Sequence, residues 1–273
     1  MRSAIEVLRG AAARLAQISD TPQLDAELLM AHALGVDRSA LLLGRHDAPP
    51  AFDALVARRL RHEPVAYITG TRAFWSIDLA VTPDVLIPRP DSETLIEAAV
   101  AYFGDRGPAT ILDLGTGSGA LLLAALTQWP LATGLGVDRS PAALAVARGN
   151  AERLDLTQRA QFVLGDWGTG IAGRFDLILC NPPYVEDDAQ LAIDVRDHEP
   201  HLALFAGEDG LAAYHVLVPQ LAALLAPVGI VCLEIGSTQA AAATALASDF
   251  IADVRRDLGG RDRCVVLRRT DGE

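Results

Sequence analysis

Asp113-Leu114-Gly115-Thr116-Gly117-Ser118-Gly119 separates the apolar run 110–114 from the Ala- and Leu-rich run 120–129. A short β-branched and leucine run, then three glycines at every second position, then an uninterrupted helix former, reads as strand, tight loop and helix. Working outward, the same alternation recurs. Helix is expected at 93–103, 120–129, 141–154, 211–225 and 239–247. Strand is expected at 110–114, up to 137, at 161–164 and 176–180, and at 230–235. Two further strand-like runs, 250–255 and 264–267, flank Gly259 and Gly260. Strands alternating with helices predict an α/β, Rossmann-like fold, a parallel sheet covered on both faces. The last two strands predict an antiparallel edge.

Upstream of residue 84 the text differs. Residues 1–64 read as a small helical domain. Ile5, Leu8, Ala12, Leu15 and Ile18 form one apolar stripe. Thr21 and Pro22 read as N-cap and first helical residue of a second helix ending near Gly35. A third short helix and a fourth at 52–62 complete the bundle. Residues 65–83, rich in Tyr67, Ile68, Phe74, Trp75, Ile77 and Val81, read as a β-hairpin linker turning at Gly70 and Thr71. The proline-rich stretch 83–91 marks the border to a domain at 84–273.

The glycine loop lets the backbone approach a ligand at a helix N-terminus. Alone it is ambiguous. Gly115, Gly117 and Ala120 satisfy a relaxed dinucleotide fingerprint, and Asp138 lies 23 residues beyond Gly115. A plain tight turn and nicotinamide binding both stay open on that motif. Two features favour S-adenosylmethionine. Asp113 precedes the glycines, where its charge disfavours a pyrophosphate and suits an ammonium or sulfonium. Asp138 and Asp166 then follow the next two strands, placed for the ribose hydroxyls and the adenine amine, with the Trp167 indole to pack on the base. Asp113, Gly115, Thr116, Gly117, Ser118, Gly119, Asp138, Asp166 and Trp167 are therefore the expected cofactor residues, joined by Asn181.

Asn181-Pro182-Pro183-Tyr184 follows the strand at 175–180 directly. An amide or aromatic amine nitrogen is a poor nucleophile because its lone pair is delocalised. Two rigid acceptors that take both of its hydrogens aim that lone pair at a methyl donor. Asn181 can supply one through its side-chain oxygen and Pro182 the other through its carbonyl. Two prolines preorganise the turn, and Tyr184 can stack on the planar group. Asn181, Pro182 and Tyr184 are the expected catalytic residues, and Asn181, Pro182, Pro183 and Tyr184 the expected substrate contacts.

Composition narrows the classes. Apolar residues make 51% and charged residues 21% of the 273, an ordinary globular balance. Apolar runs break well before the roughly 18 residues of a membrane span, and Arg2, Glu6 and Arg9 interrupt any leader-like start. Cys180, Cys232 and Cys264 lack metal spacing, and no metal is expected. All basic residues are Arg, and the net charge of −12 argues against binding nucleic acid through its phosphates. A cytoplasmic protein acting as a monomer is expected.

Beyond these readings, the sequence resembles the release factor glutamine methyltransferases over nearly its whole length. The run from Asp84 through Ile87, Pro88, Arg89, Pro90 and Asp91 to Glu93 is similar to the family's entry into its catalytic domain. The glycine loop, Asn181 to Tyr184, Glu199 with Pro200, the stretch 207–211, Leu233 to Gly236 and the front stretch 61–70 follow its pattern too. Ser92 stands where Thr is frequent. The resemblance implies a seven-stranded class I methyltransferase sheet and a helical domain that engages the substrate. It also implies S-adenosylmethionine as cofactor, and methylation of the glutamine in the Gly-Gly-Gln loop of class-1 peptide chain release factors. Alternatives are a glutamine methyltransferase of a ribosomal protein, an amino-methyltransferase of a nucleic-acid base, which would grip a flipped base, and a non-catalytic cofactor-binding module. Arg89 is open between the site mouth and a salt bridge to Asp91 or Glu93, and Glu199 is expected to shape its loop.

Overall fold

A computed structural model describes residues 3–270, so residues 1–2 and 271–273 of the expected end domains, with the leader reading at Arg2, lie outside it. The chain divides into two compact units, 1–71 with 191–198, and 72–190 with 199–273.

In the first unit, α1 (Ala4–Leu15) buries Ala4, Leu8, Ala11 and Leu15, spaced three or four apart. Ile5 points outward at 59% exposure, so the stripe is rotated from the expected one. α2 (Pro22–Leu34) starts on Pro22 as expected and stops where Gly35 turns left-handed at φ 68°. Thr21 does not cap it; its hydroxyl reaches the Asp25 carboxylate instead. α3 (Arg38–Leu43) and α4 (Phe52–Arg59) follow, the latter ending three residues before the expected His62. Leu15, Leu29, Met30, Phe52 and Val56 are the fully enclosed centre. Ion pairs tie its edges: Arg59 donates to Asp25 at 2.8 Å and lies 3.6 Å from Asp194, and Arg38 donates to Glu27 at 2.7 Å.

The stretch 65–82 departs from the expected hairpin. Val65–Thr69 is a short helix, α5, with Gly70 as its left-handed end, and Tyr67 and Ile68 are buried side chains of that helix. Burial of this apolar pair overrides β-propensity, which is the weaker preference. The hairpin is confined to β1 (Thr71–Phe74) and β2 (Ile77–Ala80), and turns at Trp75, which has φ 54°.

The second unit runs α6 (Glu93–Phe103), β3 (Thr110–Leu114), α7 (Ala120–Gln128), β4 (Thr133–Asp138), α8 (Pro141–Arg153), β5 (Ala160–Leu164) and β6 (Phe175–Cys180). After a segment carrying α9 (Ile193–His198), which belongs to the first unit, come α10 (Ala212–Leu224), β7 (Leu225–Glu234), α11 (Ala240–Leu246), β8 (Phe250–Arg256) and β9 (Asp262–Arg269). The helix at 193–198 was hidden in what reads as loop. Strand order is β5-β4-β3-β6-β7-β9-β8, parallel except for β9, which runs antiparallel between β7 and β8.

Side chains alternate strictly across this sheet. Ile111, Leu177, Leu179, Ile230, Cys232 and Val266 face one core with α6 and α7. Leu112, Leu114, Ile178, Val231, Leu233 and Val265 face the other with α10 and α11. Burial on both faces explains why these strands are continuously apolar in sequence. All three cysteines are free and buried in these layers.

One polar residue locks the hairpin to the glycine loop. Asn150 on α8 is 0% exposed; its side-chain oxygen accepts from Ala80 N at 2.7 Å, and its nitrogen donates to Ala80 O and Ser118 O. Among the described residues, no helix is long and apolar enough to cross a membrane.

Candidate functional site

Four neighbouring parallel strands, β5, β4, β3 and β6, end at one sheet edge. Leu114 pairs in register with Val137 and with Cys180, and Asp138 with Leu164. The chain leaves β3 for β4 and β5 on one side and for β6 on the other, and the crevice at such a reversal is where open α/β sheets bind ligands. A cavity lies there. Gly115, Thr116, Gly117, Ser118, Asp138, Asp166, Trp167, Asn181 and Pro183 line it, all of them expected from sequence. Asp113, Gly119, Pro182 and Tyr184 are not part of its lining.

Most N–H groups of the glycine loop point at β4. Gly115 and Thr116 both donate their N–H to Val137 O, Gly117 donates to Asp138 Oδ2 at 2.8 Å, and Gly119 donates to Thr116 O. A phosphate-binding loop must keep such N–H groups free for the anion. Here Gly115, Thr116 and Gly117 give theirs to β4, and the Asp138 carboxylate bonded to Gly117 opposes an anion, so the chemistry fits a ligand that is not held by phosphate. Asp138 is fixed by Gly117 N and, through Oδ1, by Ser140 N at 2.9 Å. Each of its oxygens keeps a second lone pair, which suits a pair of hydroxyl donors.

Trp167 takes the unusual φ of 52° and lays its ring edge over Gly115. A Cβ on Gly115, itself at φ 76°, would stand 3.3 Å from that ring. Beside it Asp166 is exposed at the rim.

Asp113 sits behind the loop rather than in the cavity. It is 1% exposed, and its Oδ2 accepts from the Thr116 hydroxyl at 2.6 Å while Oδ1 is buried without a partner. Burial pushes its carboxyl up to about 7, with Thr116 opposing and Asp138 adding to the rise. It braces the loop.

The turn after β6 is held at both ends. Asn181 Nδ2 donates to Ser92 Oγ at 3.1 Å, and Ser92 itself lines the cavity. Tyr184 donates its hydroxyl to Glu234 Oε1 at 3.3 Å, and its carbonyl accepts from Gln239 Nε2. Burial first, and then the Glu234 charge, push the Tyr184 phenol up.

Arg89 pairs with Glu199 and not with Asp91 or Glu93. The buried Glu199 also accepts from Ile87 N at 3.1 Å, which pins the 87–89 stretch. Asp91 instead lies 3.3 Å from Arg263, and Glu93 accepts from Trp75 N. Ser92 and Glu234 had no assigned role in the sequence reading. The available signal was a lone Glu closing an apolar strand at Leu233 to Gly236.

Residues 6–70 match the family described as PrmC N-terminal domain, and residues 106–252 match the family described as methyltransferase domain. A release factor glutamine methyltransferase of Rhodospirillum rubrum is 44% identical over 260 residues, covering 92% of this chain and 80% of that protein. Another, of Cereibacter sphaeroides, is 44% identical over 279 residues, covering 98% and 99%. The chain belongs to the release factor glutamine methyltransferase family. Its second unit is a Rossmann-like methyltransferase sheet, and this chain is an S-adenosylmethionine-dependent methyltransferase. In fold alone, a methyltransferase from Pyrococcus furiosus superposes with a TM-score of 0.55 at 19% identity, covering 77% of this chain and 95% of that one. The family match also accounts for the acidic Asp138 against the loop, since a methyl-donating nucleoside carries no phosphate.

Proposed function

We propose that this enzyme transfers one methyl group from S-adenosylmethionine to the side-chain nitrogen of the glutamine in the Gly-Gly-Gln loop of class-1 peptide chain release factors. The cofactor, when bound, supplies an electrophilic methyl on a sulfonium. Asp138 holds the ribose hydroxyls, Trp167 and Asp166 the adenine, and the loop from Gly115 to Gly119 lets the nucleoside lie against backbone. Asp113 acts through Thr116, which it holds in place.

The observation that carries the reading is the Asn181 amide, which gives its nitrogen to Ser92 and so keeps its oxygen as an acceptor beside the cavity. That oxygen takes one hydrogen of the substrate amide, and the Pro182 carbonyl takes the other. With both hydrogens held, the nitrogen lone pair is freed from the carbonyl and oriented for direct attack. Tyr184 braces the turn from the far end. A release factor as substrate agrees with the names of the relatives, and the reading includes a cytoplasmic enzyme that acts as a monomer. The helical front unit is the part left to engage the protein substrate.

Incubating the enzyme with methyl-labelled cofactor and purified release factor, with the loop glutamine present or replaced by alanine, tests this. Label on the glutamine form alone is expected. Label on both forms, or on neither, refutes it.

A further inference from the structure

Two stretches of the family pattern, 207–211 and Leu233 to Gly236, meet around one side chain. Gln239 stands at the N-cap position of α11, yet its side chain makes no cap bond there. Ser, Thr, Asp or Asn would serve that helix better. The Gln239 side chain, 9% exposed, is spent on other elements instead. Nε2 donates to Tyr184 O at 3.1 Å and to Gly210 O at 3.3 Å. Oε1 accepts from Gly236 N at 2.9 Å and from the Tyr214 hydroxyl at 3.2 Å, a proton that Tyr214 shares with Glu234 O. Two backbone carbonyls on one side and a backbone N–H on the other leave one way round for this amide. The two glycines make room for it. A Cβ on Gly236 would stand 2.8 Å from Oε1, and one on Gly210, at φ 67°, would collide with Tyr184 O and Nε2.

The bond to Tyr184 O bears on the residues just before it. The rings of Pro182 and Pro183 lock φ at both positions, so the Pro182 carbonyl is aimed by the few torsions left between the ends of the turn. One end is held by Asn181 on Ser92. At the other, the peptide linking Tyr184 to Val185 is held on both sides. Val185 N donates to Leu204 O at 2.9 Å, and Tyr184 O accepts from Gln239. One such bond leaves a hinge about its own axis, whereas two opposed bonds fix the plane. Neither Gln239 nor Tyr184 lines the cavity, so the glutamine acts through the backbone.

We propose that Gln239 is a positioning residue: by clasping Tyr184 O it fixes the far end of the Asn181–Tyr184 turn and, with it, the direction of the Pro182 carbonyl. This rests on the glutamine-methylating reading above, in which that carbonyl takes the second hydrogen of the substrate amide. A carbonyl displaced by about 1 Å loses its hold on the transition state. The cofactor, assigned to residues that follow β3, β4 and β5, keeps its site.

The test compares wild type, Gln239→Met and Tyr214→Phe for kcat, both KM values, cofactor Kd and cofactor sites per chain, using release factor with its loop glutamine. Gln239→Met keeps the length of the side chain and removes its hydrogen bonds. It is expected to lower kcat about tenfold, as for one misaligned hydrogen bond, with cofactor Kd within about twofold and the number of sites unchanged. Tyr214→Phe takes a buried bond from the same cluster but leaves Nε2 on Tyr184 O, and its kcat stays within about twofold of wild type. A wild type that labels the glutamine while Gln239→Met keeps its kcat overturns the positioning role alone. So does a Gln239→Met loss carried by cofactor Kd or by fewer sites, which marks a structural role only. So does a Tyr214→Phe as slow as Gln239→Met, which marks a loosened core. A wild type that leaves the glutamine unlabelled overturns the underlying reading, and this one with it.

Discussion

Leu114 and Cys180 are register partners on the adjacent parallel strands β3 and β6, so the residues that follow them, Gly115 and Asn181, leave the sheet side by side. One begins the glycine loop and the other the Asn181–Tyr184 turn, the two parts that the proposed reaction assigns to cofactor and substrate. Their adjacency follows from the strand order, although 65 residues of chain lie between Gly115 and Asn181. Donor and acceptor thus meet on a rigid edge.

In the proposed reaction, replacing Asn181 by Ala removes an acceptor that holds the substrate nitrogen as it becomes pyramidal. The expected result is a fall in kcat of about 10²–10³-fold, with cofactor Kd changed by no more than about threefold. Single-turnover methylation and equilibrium cofactor binding, measured on the same preparation, check it. A parallel loss of both would move Asn181 into the cofactor site.

Trp167 bears on the opposite step. Its ring over Gly115 closes one wall of the nucleoside cavity. Trp167→Ala should weaken cofactor binding by roughly 1–3 kcal/mol, the range for an aromatic ring stacked on a base. The kcat at saturating cofactor should be nearly unchanged. Isothermal titration with the cofactor and with its demethylated product gives the answer, since both carry the same adenine.

Asn150 predicts a stability effect without a chemical one. Its three hydrogen bonds are made where no water reaches. In Asn150→Ala, Ala80 and Ser118 lose their side-chain partner, at a cost of about 2–4 kcal/mol in unfolding free energy. Urea unfolding measures it, and a change under about 0.5 kcal/mol would show that the hairpin is held by other means.

Asp113 makes stability depend on pH. Its folded carboxyl, at about 7, lies above the ordinary value of about 3.9. Below about pH 4 it is protonated in both states and costs nothing. As pH rises toward 7 the unfolded chain ionises while the folded one resists, so stability falls across that interval and then levels off. Glu234 adds a slope of the same sign. Asp113→Asn keeps an oxygen for Thr116 and should therefore gain on wild type by on the order of 1–3 kcal/mol at pH 8 and less at pH 5. Denaturant melts at the two pH values decide it; a constant difference would contradict the raised carboxyl.

The catalytic half was legible because its signals are local. Strands buried on both faces announce themselves as apolar runs, and a glycine loop or a double-proline turn needs only its own residues to be recognised. Legibility stopped where a side chain's role depends on a distant partner. Nothing near Arg89 in sequence points to Glu199, and nothing near Asn181 points to Ser92, because only the folded chain brings them together. The helix at 65–69 was misread for a related reason. Tyr67 and Ile68 favour strands by intrinsic preference, yet a core in the helical unit claims them. Asp113 is expected from the sequence among the cofactor contacts, and its exclusion from the cavity lining is a matter of side-chain direction across a buried strand.

The segment 191–198 returns to the helical unit after the catalytic turn, where Asp194 meets Arg59. Cutting the chain at residue 71 therefore cannot yield two whole modules. The shorter fragment would be missing a piece of itself, and the longer one would carry that piece as an orphan. Experiments that aim to separate substrate recruitment from methyl transfer are better made with point substitutions at Arg59 or Asp194 than with truncations.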